Sequence, residues 1–272
     1  MKVAYFGYDP LSSCLDVFLQ QGYELAVIYT GTSSRFSDKV IQFASNNNIE
    51  LCYEKPTLSA MQTLVEQGIE MFFSAEYPWK IAVPADLKYA INVHPTLLPE
   101  GRGMTPLPQL ILKQSVYAGI TLHKLTNEFD SGDLLLQKSI NLEQDETFDS
   151  LSNKIWQQTP DLLFSLLSEL DNYYQSSQTQ GEGSYWPSIT RQQQTLDWTQ
   201  HTAELLTTLR AFGSLGTYAD ISGKTCVVTS ANAKHYQHDY RAGQVILDNK
   251  QHIIVATIDG ELRFAKESLL WI

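Results

Sequence analysis

Short apolar segments alternate with amphipathic segments over roughly the first 95 residues, and this alternation constrains the fold more than any other feature of the sequence. The apolar segments are typical of buried strands, and apolar residues at helical spacing lie between the first four of them. The predicted strands are KVAYFGY (2–8), ELAVIYTG (24–31), IELCYE (49–54), IEMFFSAEY (69–77) and YAINVH (89–94). Such alternation predicts an α/β fold: a mostly parallel, Rossmann-like sheet with helices on both faces.

The segments between and after these strands complete the N-terminal part. Helices are predicted at 9–22, 37–48 and 58–68, and a short helix at 105–115. The segment 118–142 reads as a strand pair joined by a polar loop. A further helix is predicted over 147–170, and a new turn is predicted to begin after Pro160, near Asp161.

The character of the chain changes after residue 170. The stretch NYYQSSQTQGEGSYWPS (172–188) is rich in Ser, Gln and Gly, which predicts a linker or long loop. A helix capped at Thr199 is predicted within 196–213. Short alternating strands with Asp-Asn and Asp-Gly turns follow from residue 216. We therefore predict a large domain at 1–185, and a linker helix with a small β-rich, barrel-like domain at 186–272.

Charge and cysteine usage exclude several classes of protein. The formal net charge of −11 and pI near 4.9 disfavour a binder of nucleic acid, because such affinity depends on neutralised phosphates. Three scattered cysteines lack ligand-like spacing and predict reduced core residues, without a disulfide or a metal. No apolar run is long enough for a membrane span and no secretory signal is evident, so we expect a cytoplasmic protein.

The segment INVHPTLLPEGRG (91–103) carries the candidate chemistry. Ligands of open parallel sheets bind at the carboxyl ends of strands, where YAINVH would place Asn92 and His94 on one side. An amide can donate hydrogen bonds to a developing oxyanion, and an imidazole can move a proton. Either residue alone is also compatible with a structural role. Asp130, in the loop NEFDSGD, could orient the imidazole if the fold brings it near, although Asp-Ser-Gly is also turn chemistry.

Two longer segments, INVHPTLLPEGRGMTP and AGITLHKLTNEFDSGDLLLQ, resemble the folate-dependent formyltransferase family. Members carry an Asn-x-His-(Pro/Gly)-(Ser/Thr)-Leu-Leu-Pro segment, an Arg-Gly-x-x-Pro segment and a later Gly-(Ile/Val)-Thr-x-His…Asp-x-Gly loop. All three occur here in order. The likeness continues in YWPSITRQQQTLDW and LLTTLRAFG, is strongest from 69 to 140 and is weak after 216.

The resemblance implies an N-formyltransferase that moves a formyl group from 10-formyltetrahydrofolate to a primary amine, without a metal. Asn92 would stabilise the oxyanion, His94 would carry the amine proton, and Asp130 would pair with the imidazole and favour its protonated form. By the same resemblance, two loops would form the cofactor pocket: Trp79, Lys80 and Ile81 in one, and Thr126, Asn127, Glu128, Phe129 and Asp130 in the other.

The resemblance leaves three amine substrates to consider. Glycinamide ribonucleotide is disfavoured, because its enzymes lack a segment like 196–213. Methionyl-tRNA enzymes carry a basic insertion after the second strand, whereas 30–40 here has only Arg35 and Lys39. The 201–272 segment has seven basic and seven acidic residues, a weak basis for binding a polyanion. We therefore favour a nucleotide-linked amino sugar in polysaccharide biosynthesis and expect a homodimer. Methionyl-tRNA formylation and a non-catalytic metabolite-binding protein are the alternatives.

Overall fold

A seven-stranded sheet forms the centre of the N-terminal part in the computed structural model, which describes all residues from 1 to 272. The strands are β1 (Lys2–Gly7), β2 (Glu24–Tyr29), β3 (Glu50–Cys52), β4 (Ile69–Ala75), β5 (Tyr89–Thr96), β6 (Ala118–Lys124) and β7 (Leu134–Ser139). Their order is β3-β2-β1-β4-β5-β6-β7. Pairings from β3 to β5 are parallel and those from β5 to β7 are antiparallel, which confirms the prediction of a mostly parallel sheet.

Helices cover both faces of this sheet, as predicted. The helices are α1 (Ser13–Gln20), α2 (Asp38–Asn47), α3 (Leu58–Glu66), α4 (Pro106–Leu112), α5 (Phe148–Ser168) and α6 (Leu170–Gln175). Phe18 of α1 packs edge-on against Phe73, which stacks on Tyr5. Met61 of α3 lies in a core cluster with Phe6. Because neighbouring strand residues point to opposite faces, Tyr5 and Phe6 place α1 and α3 on opposite sides.

The predicted turn after Pro160 is wrong, because α5 continues through this residue. Proline removes one backbone donor from a helix interior, and the cost of that loss is offset here by packing. Leu163 and Leu166, in the turns that follow Pro160, are fully buried. The Thr159 hydroxyl also donates to the Ile155 carbonyl within the same helix.

Of the two interpretations of 172–188, a linker or a long loop, the structure favours the long loop, and this loop is packed against the N-terminal part. Its first residues belong to α6. Gln178 then exchanges two backbone hydrogen bonds with Leu134 at the start of β7, and Trp186 donates to the Arg102 carbonyl. The Ser and Gln residues that suggested a solvated linker instead bond to the protein.

The C-terminal part is rich in antiparallel strands, as predicted. It contains α7 (Thr202–Phe212), β8 (Thr217–Ile221), β9 (Lys224–Val228), β10 (Asn232–His235), β11 (Val245–Asp248), β12 (His252–Ala256), β13 (Gly260–Ala265) and β14 (Leu270–Trp271). The strands form two sheets, of order β10-β13-β12-β11 and β14-β9-β8. Both sheets and α7 contribute to one apolar core, represented by Leu205, Val228 and Phe264.

The predicted cap at Thr199 is wrong, because α7 begins at Thr202 and its N-cap is His201. The backbone N–H and the hydroxyl of Thr199 donate to the Asp197 carboxylate, so Thr199 belongs to a turn that ends before the helix begins. The Glu204 side chain accepts from the His201 N–H and completes the helix start.

The chain divides into two compact units. The first comprises Met1–Pro106, Tyr117–Asn141 and Asn153–Trp186, and the second comprises Leu107–Val116, Leu142–Ser152 and Pro187–Ile272. Along the chain, the last boundary between the two units therefore lies between Trp186 and Pro187. Two earlier segments group with the C-terminal part, which no local pattern in the sequence indicated. None of the helices combines the length and apolar character needed to cross a membrane.

One carboxylate on the loop after β1 fixes the start of α2. The Asp9 carboxylate accepts from the N–H groups of Lys39 and Val40, while the N-cap residue Ser37 makes no side-chain cap. We expect Asp9→Ala to lower the free energy of unfolding by about 1 kcal/mol, as loss of a helix cap does. Urea denaturation followed by circular dichroism measures this. Asp16→Ala, an exposed change in the first turn of α1, is the control, and equal losses in both variants would contradict the prediction.

Candidate active site

β5 brings the two residues of the Asn-x-His motif to one side of the sheet. Asn92 and His94 are two positions apart on this strand, so their side chains share a face. Asn92 pairs with Ser74 on β4, which is parallel, and with His123 on β6, which is antiparallel. The site therefore lies where the parallel part of the sheet meets its antiparallel part.

Asp130 reaches this site from the loop between β6 and β7. Its backbone adopts the left-handed region, with φ of 52°. Two residues later Gly132 passes so close to the end of β6 that a Cβ atom there would lie 1.9 Å from the Lys124 carbonyl oxygen. The Gln180 amide donates to the Asp130 and Gly132 carbonyls at 3.0 and 2.6 Å. The long loop that contains Gln180 therefore holds the loop that carries the carboxylate.

The Asp130 carboxylate is 9% exposed and contacts both residues of the motif. Its Oδ1 lies 3.4 Å from Nδ1 of His94 and 3.5 Å from Nδ2 of Asn92. Its Oδ2 accepts from the backbone N–H of Gly103 at 2.9 Å. The structure thus brings together the three side chains that the sequence singled out for chemistry.

The hydrogen bonds of His94 define how its imidazole can exchange protons. Its Nε2 lies 2.9 Å from the Gly101 carbonyl oxygen, and a carbonyl accepts only, so Nε2 carries a proton. Nδ1 faces the Asp130 carboxylate. The ring donates to both acceptors only as the imidazolium, and the neutral ring has Nδ1 free to take up a proton.

A fourth residue, His123, completes the site and was missed as a functional candidate. Its Nδ1 lies 2.8 Å from the Lys124 carbonyl oxygen, so Nδ1 carries the proton and Nε2 accepts from the Asn92 amide at 3.0 Å. Burial lowers the pKa of His123 to about 4, so the ring is neutral at physiological pH. The motif Gly-Ile-Thr-Leu-His contained the signal, but only the antiparallel register of β6 shows that His123 lies opposite Asn92.

The loop after β4 contains the first group of predicted cofactor residues. Trp79 and Lys80 are exposed, and the Lys55 ammonium lies 3.6 Å from the centre of the Trp79 ring. Ile81 differs, because its side chain is buried in the core and can offer a ligand only its backbone. Leu125, at the start of the second predicted loop, packs against the same core cluster as Ile81. The two loops therefore border the same core cluster.

The loop after β6 contains the second group. The Thr126 hydroxyl donates to the Glu128 carbonyl and contacts the Ser131 hydroxyl, which fixes the shape of the loop. Asn127 and Glu128 are exposed, and the Phe129 ring is 53% exposed. The exposed rings of these two loops, Trp79 and Phe129, offer faces on which a planar ligand can stack. No group of three or more His, Cys, Asp or Glu residues is arranged to hold a metal ion.

The fold and the site together define a class: α/β proteins with an amide, an imidazole and a buried carboxylate at one edge of the sheet. Comparison with protein families identifies the class further. Residues 81–167 match the model of the formyl transferase domain, and residues 188–268 match the model of the formyl transferase C-terminal domain. The two matches cover more than half of the chain, which therefore belongs to the formyltransferase family, as the sequence motifs predicted.

The individual relatives share low sequence identity with this chain. Methionyl-tRNA formyltransferase of Rickettsia typhi is 28% identical over 177 residues, which are 65% of this chain and 57% of that protein. The chain thus spans less than two thirds of this relative. The Helicobacter canadensis N-formyltransferase structure covers 100% of this chain and 99% of its own, with TM-score 0.72 and 18% identity. A 4-N formyltransferase of Francisella tularensis covers 84% of this chain and 96% of its own, with TM-score 0.67 and 18% identity. Such identities show a shared fold.

The tautomer of His123 can be measured. Because burial holds its pKa at about 4, we expect a neutral ring with the proton on Nδ1 at all pH values above about 5. Nitrogen-15 NMR of the imidazoles reports this, with the signals of His123 identified by their absence in His123→Asn. The folded protein should also lose stability as pH falls below 6.5, because the unfolded chain takes up a proton that folded His123 refuses. A doubly protonated His123 at pH 6 would contradict the assignment.

Proposed function

We propose that this protein transfers a formyl group from 10-formyltetrahydrofolate to the primary amine of a nucleotide-linked amino sugar. The observation that carries the proposal is the contact of the buried Asp130 carboxylate with both Asn92 and His94. A buried carboxylate next to an imidazole is the arrangement expected of an acid–base site, and the neighbouring amide adds a hydrogen-bond donor. The family to which the chain belongs makes formyl transfer the reaction to test.

The roles of the three side chains follow from their contacts. One N–H of the Asn92 amide is engaged by His123, which fixes the amide, while the contact to Asp130 is long at 3.5 Å, so the second N–H is available to the formyl oxygen. There it stabilises the negative charge that develops when the amine attacks. His94 takes up the proton that the amine loses, at Nδ1. Asp130 faces that nitrogen and stabilises the imidazolium that forms.

The residues at the edge of the sheet fit a folate. The pyrimidinone ring of a reduced pterin is planar, and Trp79 and Phe129 supply exposed rings on two loops that border one core cluster. When bound, the folate supplies the formyl group. Backbone groups at Ile81 and in the segment Thr126–Phe129 would hold its polar edge, and Asp130 would lie beside it.

Two observations support an amino sugar as acceptor. The Helicobacter canadensis structure, which covers the chain along its full length, holds folinic acid and dTDP-3-aminofucose. The C-terminal 201–272 segment also carries no excess positive charge, and log affinity for a polynucleotide falls with each phosphate contact that is lost. A cytoplasmic location and a homodimer stay predictions within this proposal.

Methionyl-tRNA is the second candidate acceptor. Five curated relatives, at 25 to 30% identity, are methionyl-tRNA formyltransferases. Against this reading, the 30–40 segment, which joins β2 to the first turn of α2, exposes only two basic residues, Arg35 and Lys39, and Arg35 lies over its own neighbour Phe36.

A direct assay separates the two acceptors. Purified protein is incubated with 10-formyltetrahydrofolate and, in separate reactions, with dTDP-linked 3-amino and 4-amino sugars or with methionyl-tRNA. We expect formylation of an amino sugar, detected by mass spectrometry, and release of tetrahydrofolate in equal amount. Formylation of the tRNA alone would overturn the choice of acceptor and leave the chemistry in place.

Substitutions in the site test the assigned roles. We expect Asn92→Ala to lower kcat on the order of 100- to 1000-fold, because it removes the donor to the oxyanion. His94→Ala should also slow turnover strongly, with folate binding retained as measured by fluorescence titration of the tryptophans. Asn153→Ala, an exposed amide on α5, serves as the control. Equal rates of tetrahydrofolate release by wild type and His94→Ala would contradict the mechanism.

A further inference from the structure

The Gln180 side chain is bonded to two segments of the proposed active site at once. Its amide nitrogen Nε2 donates to the Asp130 and Gly132 carbonyls, at 3.0 and 2.6 Å. Its amide oxygen Oε1 accepts from two nitrogens of the Arg102 guanidinium, at 3.0 and 2.8 Å. Gln180 therefore joins the loop after β6 to the segment after β5 that contains Arg102.

The direction of the Gln180 amide is fixed by these partners. A guanidinium only donates and a backbone carbonyl only accepts, so a single orientation of the amide satisfies both sides. The Arg102 guanidinium is itself held by a further bond to the Gly181 carbonyl, at 3.3 Å. Because the donor is charged, its bonds to Gln180 are stronger than those between neutral groups. Arg102 thus holds the amide so that its N–H groups face the loop that carries Asp130.

The two segments that Gln180 joins supply the groups on either side of the His94 imidazole. The Gly101 carbonyl oxygen lies 2.9 Å from Nε2, and the Asp130 carboxylate lies 3.4 Å from Nδ1. The Gly103 N–H also donates to Asp130 Oδ2 and links the same two segments directly. The distance between carboxylate and imidazole therefore depends on how the loop after β6 is held against this segment.

The loop after β6 requires such a restraint because its backbone is strained. Asp130 has φ of 52°, in the left-handed region, which residues other than glycine adopt at a cost in free energy. A conformation of this kind persists only where the surrounding structure holds it. Gln180 bonds the carbonyl of Asp130 itself. Without that bond, the loop can relax and the carboxylate can move away from His94.

We propose that Gln180 is a positioning residue for formyl transfer, which holds the Asp130 carboxylate beside the His94 imidazole. The inference rests on the proposed function. The carboxylate stabilises the imidazolium that forms during the reaction, and this stabilisation weakens as the two groups separate. Gln180 acts through Asp130, so its loss should slow the chemical step and leave binding of the amine substrate intact.

The kinetic test uses Gln180→Met, which keeps the length of the side chain and removes its hydrogen bonds. For the acceptor that wild type formylates, we expect kcat to fall roughly 10- to 100-fold, because a small misplacement of a catalytic group costs on the order of 100-fold in rate. KM for the acceptor should change less than about threefold. Gln178→Met is the matched control, since this side chain of the same loop is exposed and Gln178 bonds Leu134 through its backbone.

A second variant separates the donors of the Gln180 amide from its shape. Gln180→Glu keeps an acceptor for Arg102 but has no N–H for the two carbonyls. We expect its kcat to be as low as that of Gln180→Met, or lower. Gln178→Glu, which adds the same charge two residues away, should match wild type. Recovery of the wild-type kcat in Gln180→Glu would show that the donors are not needed, and it contradicts the proposal.

Hydrogen exchange tests the positioning without any substrate. The Gly103 amide donates to Asp130, and NMR should show it exchanging roughly tenfold faster in Gln180→Met, the scale of one net hydrogen bond. Amides of β4, in the middle of the sheet, report global unfolding and should keep their wild-type rates. Wild-type protection of Gly103 in the variant would overturn the positioning role.

The outcomes separate this inference from the proposed function. A wild-type protein that formylates neither an amino sugar nor methionyl-tRNA overturns the proposed function, and the role of Gln180 in catalysis with it. An active wild type whose kcat is unchanged in Gln180→Met, or whose acceptor KM rises instead, overturns the role of Gln180 alone. Faster exchange throughout β4 would mark general destabilisation, which also contradicts the inference. Gln180→Glu provides the kinetic and exchange tests if Gln180→Met does not fold.

Discussion

Burial of the Asp130 carboxylate is the constraint on which the site depends. A carboxylate removed from water is unstable unless donors surround it, and Asp130 finds them in the Gly103 N–H, the His94 ring and the Asn92 amide. The Gly103 N–H takes this position only because residue 103 is a glycine, since a Cβ atom there would lie 2.3 Å from the Trp186 carbonyl oxygen. Segments far apart in sequence are thus fixed around one charge.

The change from parallel to antiparallel pairing at β5 brings His123 of β6 into the site, in support of Asn92. A parallel neighbour would require a crossover connection, whereas the antiparallel β6 places His123 directly opposite Asn92. Buried and neutral, His123 accepts from the amide and fixes its direction without competing for the charge of Asp130. Preorganised donors of this kind stabilise developing charge without reorganising during the reaction.

Local patterns predicted the strands, the α/β class and the motif residues, because these depend on periodicity and on residue chemistry within a few positions. They failed where distant segments compete for the same hydrogen bonds. Gln180 looked like part of a flexible linker, yet its amide bonds the loop that carries Asp130. Thr199 looked like a helix cap, yet it lies in a turn with Asp197 and the helix begins only at Thr202. His123 was visible in the motif, but its partner is set by register, which no single strand encodes.

Backbone strain separates the functional residues from ordinary turns. Five residues other than glycine have positive φ. Of these, Asn48 caps the end of α2, Gln114 follows the end of α4, and Ser222 precedes Gly223 in the turn between β8 and β9, so local geometry accounts for all three. Asp130 instead lies in the loop after β6, and its carboxylate contacts Asn92 and His94. Strain at this position directs the carboxylate to the imidazole, and strand geometry alone would not place it there.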